Sequence, residues 1–188
     1  MKRTLIALLV PTLFSVGLAQ MDHGNMQMEM PLGSTMDLGG LEKLSGKAFD
    51  RAFLSMMVPH HQEAIDMAKA VLPKSKDAQV KKWAQAIIKD QQKEITQMNT
   101  LLKTLGGVDS KMQQAMEKGM TGMTDMVKKA KDADRAFVEG MLPHHASAIS
   151  MANLALEVSD NETVLKLARD IVVVQAGEIY GFKQWLEK

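Results

Sequence analysis

The 188-residue chain contains no cysteine. It therefore has no disulfide scaffold, and no thiolate is present to bind a metal. A metal ion would have to be held by methionine sulfur, histidine nitrogen or carboxylate oxygen. Methionine is abundant, with 17 residues, whereas tyrosine occurs once and tryptophan twice. The positions of the methionines therefore decide whether they are core filling or ligands.

The chain also lacks an excess of charge of either sign. It carries 23 basic and 22 acidic residues, which gives a formal net charge of +1. Removal of residues 1–19 would take away two basic residues and no acidic one, leaving 21 − 22 = −1. A nearly neutral chain has no electrostatic attraction for nucleic acid or for anionic membranes. We expect neither as a partner.

Residues 1–19 have the pattern of a secretory signal peptide. Lys2 and Arg3 precede an apolar segment, 5–18, that ends in the small residues expected before a cleavage site. The alternative is a membrane anchor, but the segment is shorter than the roughly 20 residues that span a bilayer and is interrupted by Pro11. We therefore expect a periplasmic or secreted protein with no stable membrane insertion after cleavage.

One phrase of sequence occurs twice. Asp50–Ala68 and Asp134–Ala152 align without a gap at an offset of 134 − 50 = 84 residues, and each contains Met-x-Pro-His-His. Four of the five histidines lie in these two segments. Helical periodicity runs through both copies, and no segment alternates for long as a strand would. The sequence thus predicts an all-α fold, a four-helix bundle made of two duplicated hairpins. The predicted bundle covers 47–188, with hairpins at 48–104 and 133–187 and a linker at 105–132.

Helical phase places both histidines of each pair on the buried face of the first helix of its hairpin. The second helix of each hairpin has an apolar face that is interrupted by one glutamine and one glutamate. Antiparallel pairing brings these polar residues to within about a turn of the histidines. Buried amide and carboxyl groups need partners, and the histidines are the nearest ones. The four residues predicted to neighbour the histidines are Gln91, Glu94, Gln175 and Glu178.

Pro59 and Pro143 lie inside the predicted helices, where proline costs roughly 3 kcal/mol or more. Their matching positions suggest that a local distortion shapes a site. Two doubled histidine pairs, each flanked by methionine, favour a metal site over a structural role. The alternative is that His60 and His144 are core histidines, each hydrogen-bonded to the glutamate of its own hairpin.

The segment 20–46 precedes the first predicted helix, and we expect it to be a disordered, Met-rich tail, since it contains glycine, proline and no helical period. Closely spaced thioether and imidazole groups suit Cu(I), and Ag(I) by the same softness. The alternative is a linker that is rich in methionine by chance. The candidate ligands in the tail are Met21, His23, Met26, Met28 and Met30.

A further methionine stripe lies in the linker. Its members are spaced by four, four, three and three residues, as on one face of a helix. Packing against the bundle is the favoured interpretation, because methionine fills irregular gaps. A mobile Met-rich flap is the alternative. The stripe consists of Met112, Met116, Met120, Met123 and Met126.

On these residues the chain resembles the exported, ferritin-like helical-bundle proteins built on a duplicated Met-x-Pro-His-His motif. That family is catalogued as a domain of unknown function, and some of its members bind copper. The resemblance covers about residues 48–187 and rests on Met57–His61 and Met141–His145. It implies a copper ion held by the motif residues, with two further methionines at matching positions. The ligands so implied are Met57, His60, His61, Met141, His144 and His145, and the matching positions are Met67 and Met151.

We therefore expect a periplasmic or extracellular copper-binding protein that buffers or carries Cu(I), with Cu(II) and Ag(I) as further ions. Its partners would be metal ions and a copper exporter or chaperone. No chemistry on a substrate is needed, so we expect a binding protein and not an enzyme. A ferritin-like metal-dependent oxidase is one alternative, although the Glu-x-x-His pairs of such sites are missing from the sequence. A helical interaction module that binds no metal is the other.

Overall fold

The computed structural model describes residues 39–188, which consist of helices joined by turns and short loops. Four of the helices are long and form two hairpins, so the predicted all-α four-helix bundle is confirmed. A short 3-10 helix, Leu41–Lys43, precedes them. The α-helices are α1 (Gly46–Val71), α2 (Ala78–Thr104), α3 (Ser110–Gly119), α4 (Met123–Lys129), α5 (Ala133–Val158) and α6 (Glu162–Leu186).

The second helices of the two hairpins begin at equivalent residues of the repeat. The Asp77 side chain accepts hydrogen bonds from the backbone N–H groups of residues 79 and 80, which caps α2. The Asn161 side chain does the same for residues 163 and 164 and caps α6. Because 77 + 84 = 161, the duplication preserves a small polar cap at the start of each second helix.

α1 and α5 form the centre of the bundle. They pack against each other, and each also packs against the second helix of its own hairpin. They run in opposite directions. His60 of α1 contacts Ser147 of α5, whereas Met67, later in α1, lies against the earlier Gly140 of α5. The two histidine pairs therefore meet at the crossing of the two central helices.

The outer helices α2 and α6 approach each other less closely than the other neighbouring helices do. Near one end they are joined by Trp83, whose ring meets that of Phe182 edge-on with centres 4.9 Å apart. Gly181 permits this contact, because a Cβ atom there would lie 3.0 Å from the Trp83 ring. Towards the middle of the bundle, a narrow cleft separates α2 from α6.

The segment predicted as a linker contains two short helices that pack on the bundle. α3 packs against α1, and α4 packs against both α1 and α5. Glu63 anchors α4 by accepting hydrogen bonds from the Thr124 backbone N–H at 2.7 Å and from its hydroxyl at 2.8 Å. Gly140 makes room for α4, since a Cβ atom there would lie 2.8 Å from the Met126 methyl. The two copies differ at these positions because α4 contacts them unequally.

The methionines of the linker are packing residues of α3, α4 and the turn between them, and they do not form one continuous helical stripe. Met112 and Met120 are buried, and Met116 packs against the core cluster that contains Met57. Met123 and Met126 pack against the cluster that contains Met67. The break in the helix falls at Met120–Gly122, where Gly122 adopts a left-handed conformation with φ 96°.

The disorder predicted for 20–46 extends too far at its C-terminal end. Leu41 is fully buried in the core, and α1 already begins at Gly46. Apolar contact of Leu41 with the bundle orders a turn for which the sequence shows no helical period. The predicted signal peptide, 1–19, lies outside the described residues. Within residues 39–188, no helix combines the length and the apolar content of a membrane span.

Candidate metal centre

Four histidines form a buried layer where α1 crosses α5. His60, His61, His144 and His145 are exposed by only 1, 0, 3 and 0 % of their surface. The rings of His60 and His144, one from each copy of the repeat, lie with their centres 3.8 Å apart. All four lie on the buried face that helical phase predicts for them. The repeat therefore brings both histidine pairs into a single cluster.

The first histidine of each pair is hydrogen-bonded across the interface between α1 and α5. His60 Nε2 lies 2.5 Å from Ser147 Oγ, and that hydroxyl donates to the backbone carbonyl of His144 at 2.8 Å. His144 Nε2 lies 3.0 Å from the carbonyl oxygen of His60. Each of these histidines thus contacts the opposite copy of the repeat.

The second histidine of each pair turns towards its own hairpin. His61 Nε2 lies 2.7 Å from Glu94 Oε2 of α2, and His145 Nε2 lies 2.8 Å from Glu178 Oε2 of α6. The alternative prediction, in which His60 and His144 bond to these glutamates, is wrong, because the glutamates contact His61 and His145. Consecutive residues are about 100° apart around a helix, so one histidine faces the other hairpin and the next faces its own.

The hydrogen-bond partners determine the tautomers of three rings. A carbonyl or carboxylate oxygen only accepts, so the Nε2 atoms of His61 and His144 carry the proton. The hydroxyl of Ser147 donates its own proton elsewhere, so His60 also presents Nε2–H. The Nδ1 atoms of all four rings are buried, and no group of residues 39–188 forms a hydrogen bond with them. A neutral ring that is protonated at Nε2 carries an unshared lone pair on Nδ1. His145 Nε2 lies 2.8 Å from Glu178 but has no aligned hydrogen bond within residues 39–188.

Burial keeps the central rings neutral. The pKa of His60 is well below 6.5, chiefly because burial penalises the imidazolium and then because His144, His61 and His145 would repel it. Burial lowers the pKa of His144 in the same way, assisted by repulsion from His145 and His61. A neutral imidazole is the form that binds metal ions. Both rings are therefore in the ligand form at neutral pH.

The motif methionines flank the histidine layer on both sides. All four are completely buried. Met57 and Met151 belong to one apolar cluster, and Met67 and Met141 belong to the other. The antiparallel crossing of α1 and α5 thus places one methionine from each copy on each side of the histidines.

Among residues 39–188, no three His, Asp or Glu side chains are arranged to hold a metal ion by themselves. The predicted neighbours of the histidines divide into two kinds. Glu94 and Glu178 contact histidines, as described above. Gln91 and Gln175 are buried, their Oε1 atoms have no hydrogen-bond partner within residues 39–188, and they line the cleft between α2 and α6.

The sequence identified most residues of this layer but gave Ser147 no role. The only signal was the replacement of the charged Glu63 of the first copy by a hydroxyl in the second. The predicted tail ligands Met21, His23, Met26, Met28 and Met30 lie outside the described residues.

Solved structures with this fold include a copper-binding protein. CopM resembles this chain at 36 % identity in its Cu(I)-bound form, covering 73 % of this chain and 95 % of CopM with a TM-score of 0.63. The Cu(II)-bound form matches with the same coverage at 37 % identity and a TM-score of 0.67. CopM has also been solved in an Ag-bound form, which matches at 36 % identity over 73 % of this chain and 94 % of CopM with a TM-score of 0.61.

Other relatives have no stated activity. A DUF305 fragment from Deinococcus radiodurans matches at 28 % identity, covering 73 % of this chain and 95 % of the fragment, with a TM-score of 0.63. The uncharacterized protein L153 of Acanthamoeba polyphaga mimivirus is 43 % identical over 53 residues, which are 28 % of this chain and 35 % of L153. The chain thus spans about a third of that relative. The model of the domain of unknown function DUF305 matches twice, at residues 11–102 and 103–186, once for each half of the duplication. The chain belongs to the DUF305 family.

Proposed function

We propose that this protein binds copper as Cu(I) in the histidine–methionine layer between α1 and α5. The observation that carries the proposal is the set of four buried Nδ1 atoms that have no hydrogen-bond partner within residues 39–188. A buried polar atom that lacks a hydrogen bond costs about 1–3 kcal/mol, so four in one cluster are expensive unless a ligand uses them. A metal ion accepts lone pairs and is such a ligand.

The surroundings of the rings match those of metal-binding histidines. Such histidines usually donate their second ring N–H to a carboxylate or a backbone carbonyl, which fixes the ring and its tautomer. Here Glu94, Glu178 and the carbonyl of His60 fill these roles. The thioethers of Met57 and Met141, three residues before the first histidine of each pair, add the soft donors that select Cu(I).

We further propose that the protein buffers or carries copper outside the cytoplasm. The signal-like N-terminus supports export, and the Met-rich tail is suited to capture Cu(I) or Ag(I) and to pass it to the bundle. CopM, a relative by sequence and fold, binds Cu(I), Cu(II) and Ag, which supports the choice of metal. Exchange with a copper exporter or chaperone is part of this proposal.

A Cu(I) competition titration tests the site. Met57→Leu/Met141→Leu removes two sulfur atoms with little change of volume. Met98→Leu is the matched control, because Met98 is equally buried but lies outside the motif. We expect the double variant to bind Cu(I) at least tenfold more weakly and the control to bind as the unsubstituted protein does. Equal affinity in all three proteins would remove the motif methionines from the site.

Nitrogen NMR of the histidine rings tests the lone pairs directly. In the metal-free protein, we expect His60 and His144 to show the ¹⁵N shifts of neutral rings protonated at Nε2. Addition of one equivalent of Cu(I) should move the Nδ1 resonances and leave the Nε2–H signals in place. Unchanged Nδ1 resonances would contradict the proposal, and tight iron binding with oxygen consumption would favour the oxidase alternative.

A further inference from the structure

The polar groups that line the cleft between α2 and α6 are all carboxylates or amides. Its polar lining consists of Asp90, Gln91 and Glu94 from α2 and Gln175 and Glu178 from α6, and no basic residue of the described part of the chain lines it. Isoleucines and a valine complete its walls. The two copies of the repeat supply equivalent glutamines and glutamates, so the cleft lies where the two hairpins face each other.

The two glutamines are the unexplained feature. Gln91 is exposed by 4 % and Gln175 by 2 % of its surface, and the buried Oε1 atom of each has no hydrogen-bond partner among the described residues. Each unpartnered oxygen is costly. Both glutamines line the same cleft, so one ligand in the cleft could serve both oxygens. A ligand for two amide oxygens must be a hydrogen-bond donor or a cation.

Three acidic side chains favour the cation. Glu94 and Glu178 each use Oε2 for a histidine, which leaves the second oxygen of each carboxyl group for another ligand. Asp90 adds a third acidic group from α2, where the second copy has Val174. Amide and carboxylate oxygens without any nitrogen or sulfur are the donor set of hard divalent cations.

The cleft has the size of a single small ligand. The space open to the centre of a water molecule is about 10 Å³, which is roughly what one water requires. Metal–oxygen distances of about 2.0–2.6 Å are shorter than hydrogen bonds to water, at about 2.7–3.0 Å. One divalent ion therefore fits where one water would.

We propose that this cleft is a second cation site, in which Gln91, Gln175, Glu94 and Glu178 hold one small divalent ion through oxygen. The site stands apart from the proposed Cu(I) site in donor type, although the two glutamates link them by holding His61 and His145. The site would hold an ion that prefers oxygen ligands directly beside the histidine–methionine layer, which suits a soft ion such as Cu(I). The alternative occupant is a water molecule that donates one hydrogen bond to each amide oxygen.

Mn(II) is the probe, because it prefers oxygen ligands and reports its own location by broadening nearby NMR resonances. With metal-free protein, we expect saturable binding of one Mn(II). The strongest broadening should occur in residues 87–94 and 171–178. Broadening centred on another part of the bundle, or no saturable binding, would overturn the proposal and leave water as the occupant.

Substitution gives the second test. Gln91→Leu/Gln175→Leu replaces both unpartnered amides, and Gln92→Leu makes the same change at the exposed neighbouring position of α2. We expect the double variant to bind Mn(II) at least tenfold more weakly, the control to bind within twofold of the unsubstituted protein, and both to keep their Cu(I) affinity. Undiminished Mn(II) binding by a folded double variant would refute the site.

Discussion

At the scale of single residues, adjacent histidines of one motif have different roles. His60 and His144 are turned towards each other across the bundle, whereas His61 and His145 are held by glutamates of their own hairpins. The nearest polar group approaches Nε2 in every ring, and within residues 39–188 no Nδ1 atom has a hydrogen-bond partner. The chemistry of the layer therefore depends on which ring nitrogen of each histidine is left without a partner, and not only on the number of histidines.

The neutral central histidines predict that acid destabilises the metal-free protein. The folded-state pKa values of His60 and His144 are lowered below 6.5, so below about pH 6.5 the unfolded chain binds more protons than the folded one. Their contribution is fully present above that pH and is lost as the pH falls, by up to about 1.4 kcal/mol per pH unit for each histidine. Urea unfolding with a chelator, from pH 8 to pH 5, measures this loss.

The control for this pH series is His60→Asn/His144→Asn, which should show a flatter dependence over the same range. Carboxyl groups with lowered pKa values do not contribute in this range. The Asp77 carboxyl, for example, titrates below its usual 3.8, mainly because the Val80 backbone N–H binds it. An equal urea midpoint at pH 8 and pH 5 would contradict buried neutral histidines.

At the scale of elements, α4 is the least symmetric part of the molecule. It is a seven-residue helix, too short to be stable alone, and it depends on contacts with α1 and α5. Glu63 binds its first turn, and Gly140 admits Met126. The presence of Glu63 in the first copy and of Gly140 in the second is therefore explained by the docking of one helix.

Glu63→Ala should release α4. It removes two hydrogen bonds at the start of the helix, at an expected cost of about 1–2 kcal/mol. Amide hydrogen exchange should accelerate in residues 123–129 and change little in α2 and α6. Glu139→Ala is the control, because Glu139 forms only an exposed ion pair with Arg135, and such pairs contribute about 0–1 kcal/mol. Equal protection of α4 in both variants would show that Glu63 does not anchor it.

At the scale of the whole molecule, the two hairpins are joined by reciprocal contacts. Asp50, near the start of α1, accepts a hydrogen bond from Ser159 between α5 and α6 at 2.6 Å. Asp134, its equivalent in α5, accepts one from the Lys76 backbone N–H between α1 and α2 at 3.2 Å. Each copy therefore fixes the turn of the other, and the hairpins should unfold together.

Asp50→Ala should destabilise the bundle as a unit. The substitution leaves the buried Ser159 hydroxyl without its acceptor, at an expected cost of about 1–3 kcal/mol. We expect a lower urea midpoint with an unchanged m-value. Asp66→Ala, at a site where the carboxylate bonds only to neighbours on the same exposed helix surface, should stay within about 0.5 kcal/mol of the parent. A second transition in the Asp50 variant would show that the hairpins unfold separately.

The sequence by itself determined the duplication, the four long helices and the buried face of each, including the four histidines and the motif methionines. Periodicity suffices for this because it fixes which side of a helix is apolar. Only the tertiary structure decided that His61 and not His60 meets Glu94, that Ser147 completes the histidine layer, and that two unpartnered glutamines share a cleft. These outcomes depend on which helix each helix face contacts and on how each helix is rotated about its axis. Packing between residues that are distant in sequence determines both.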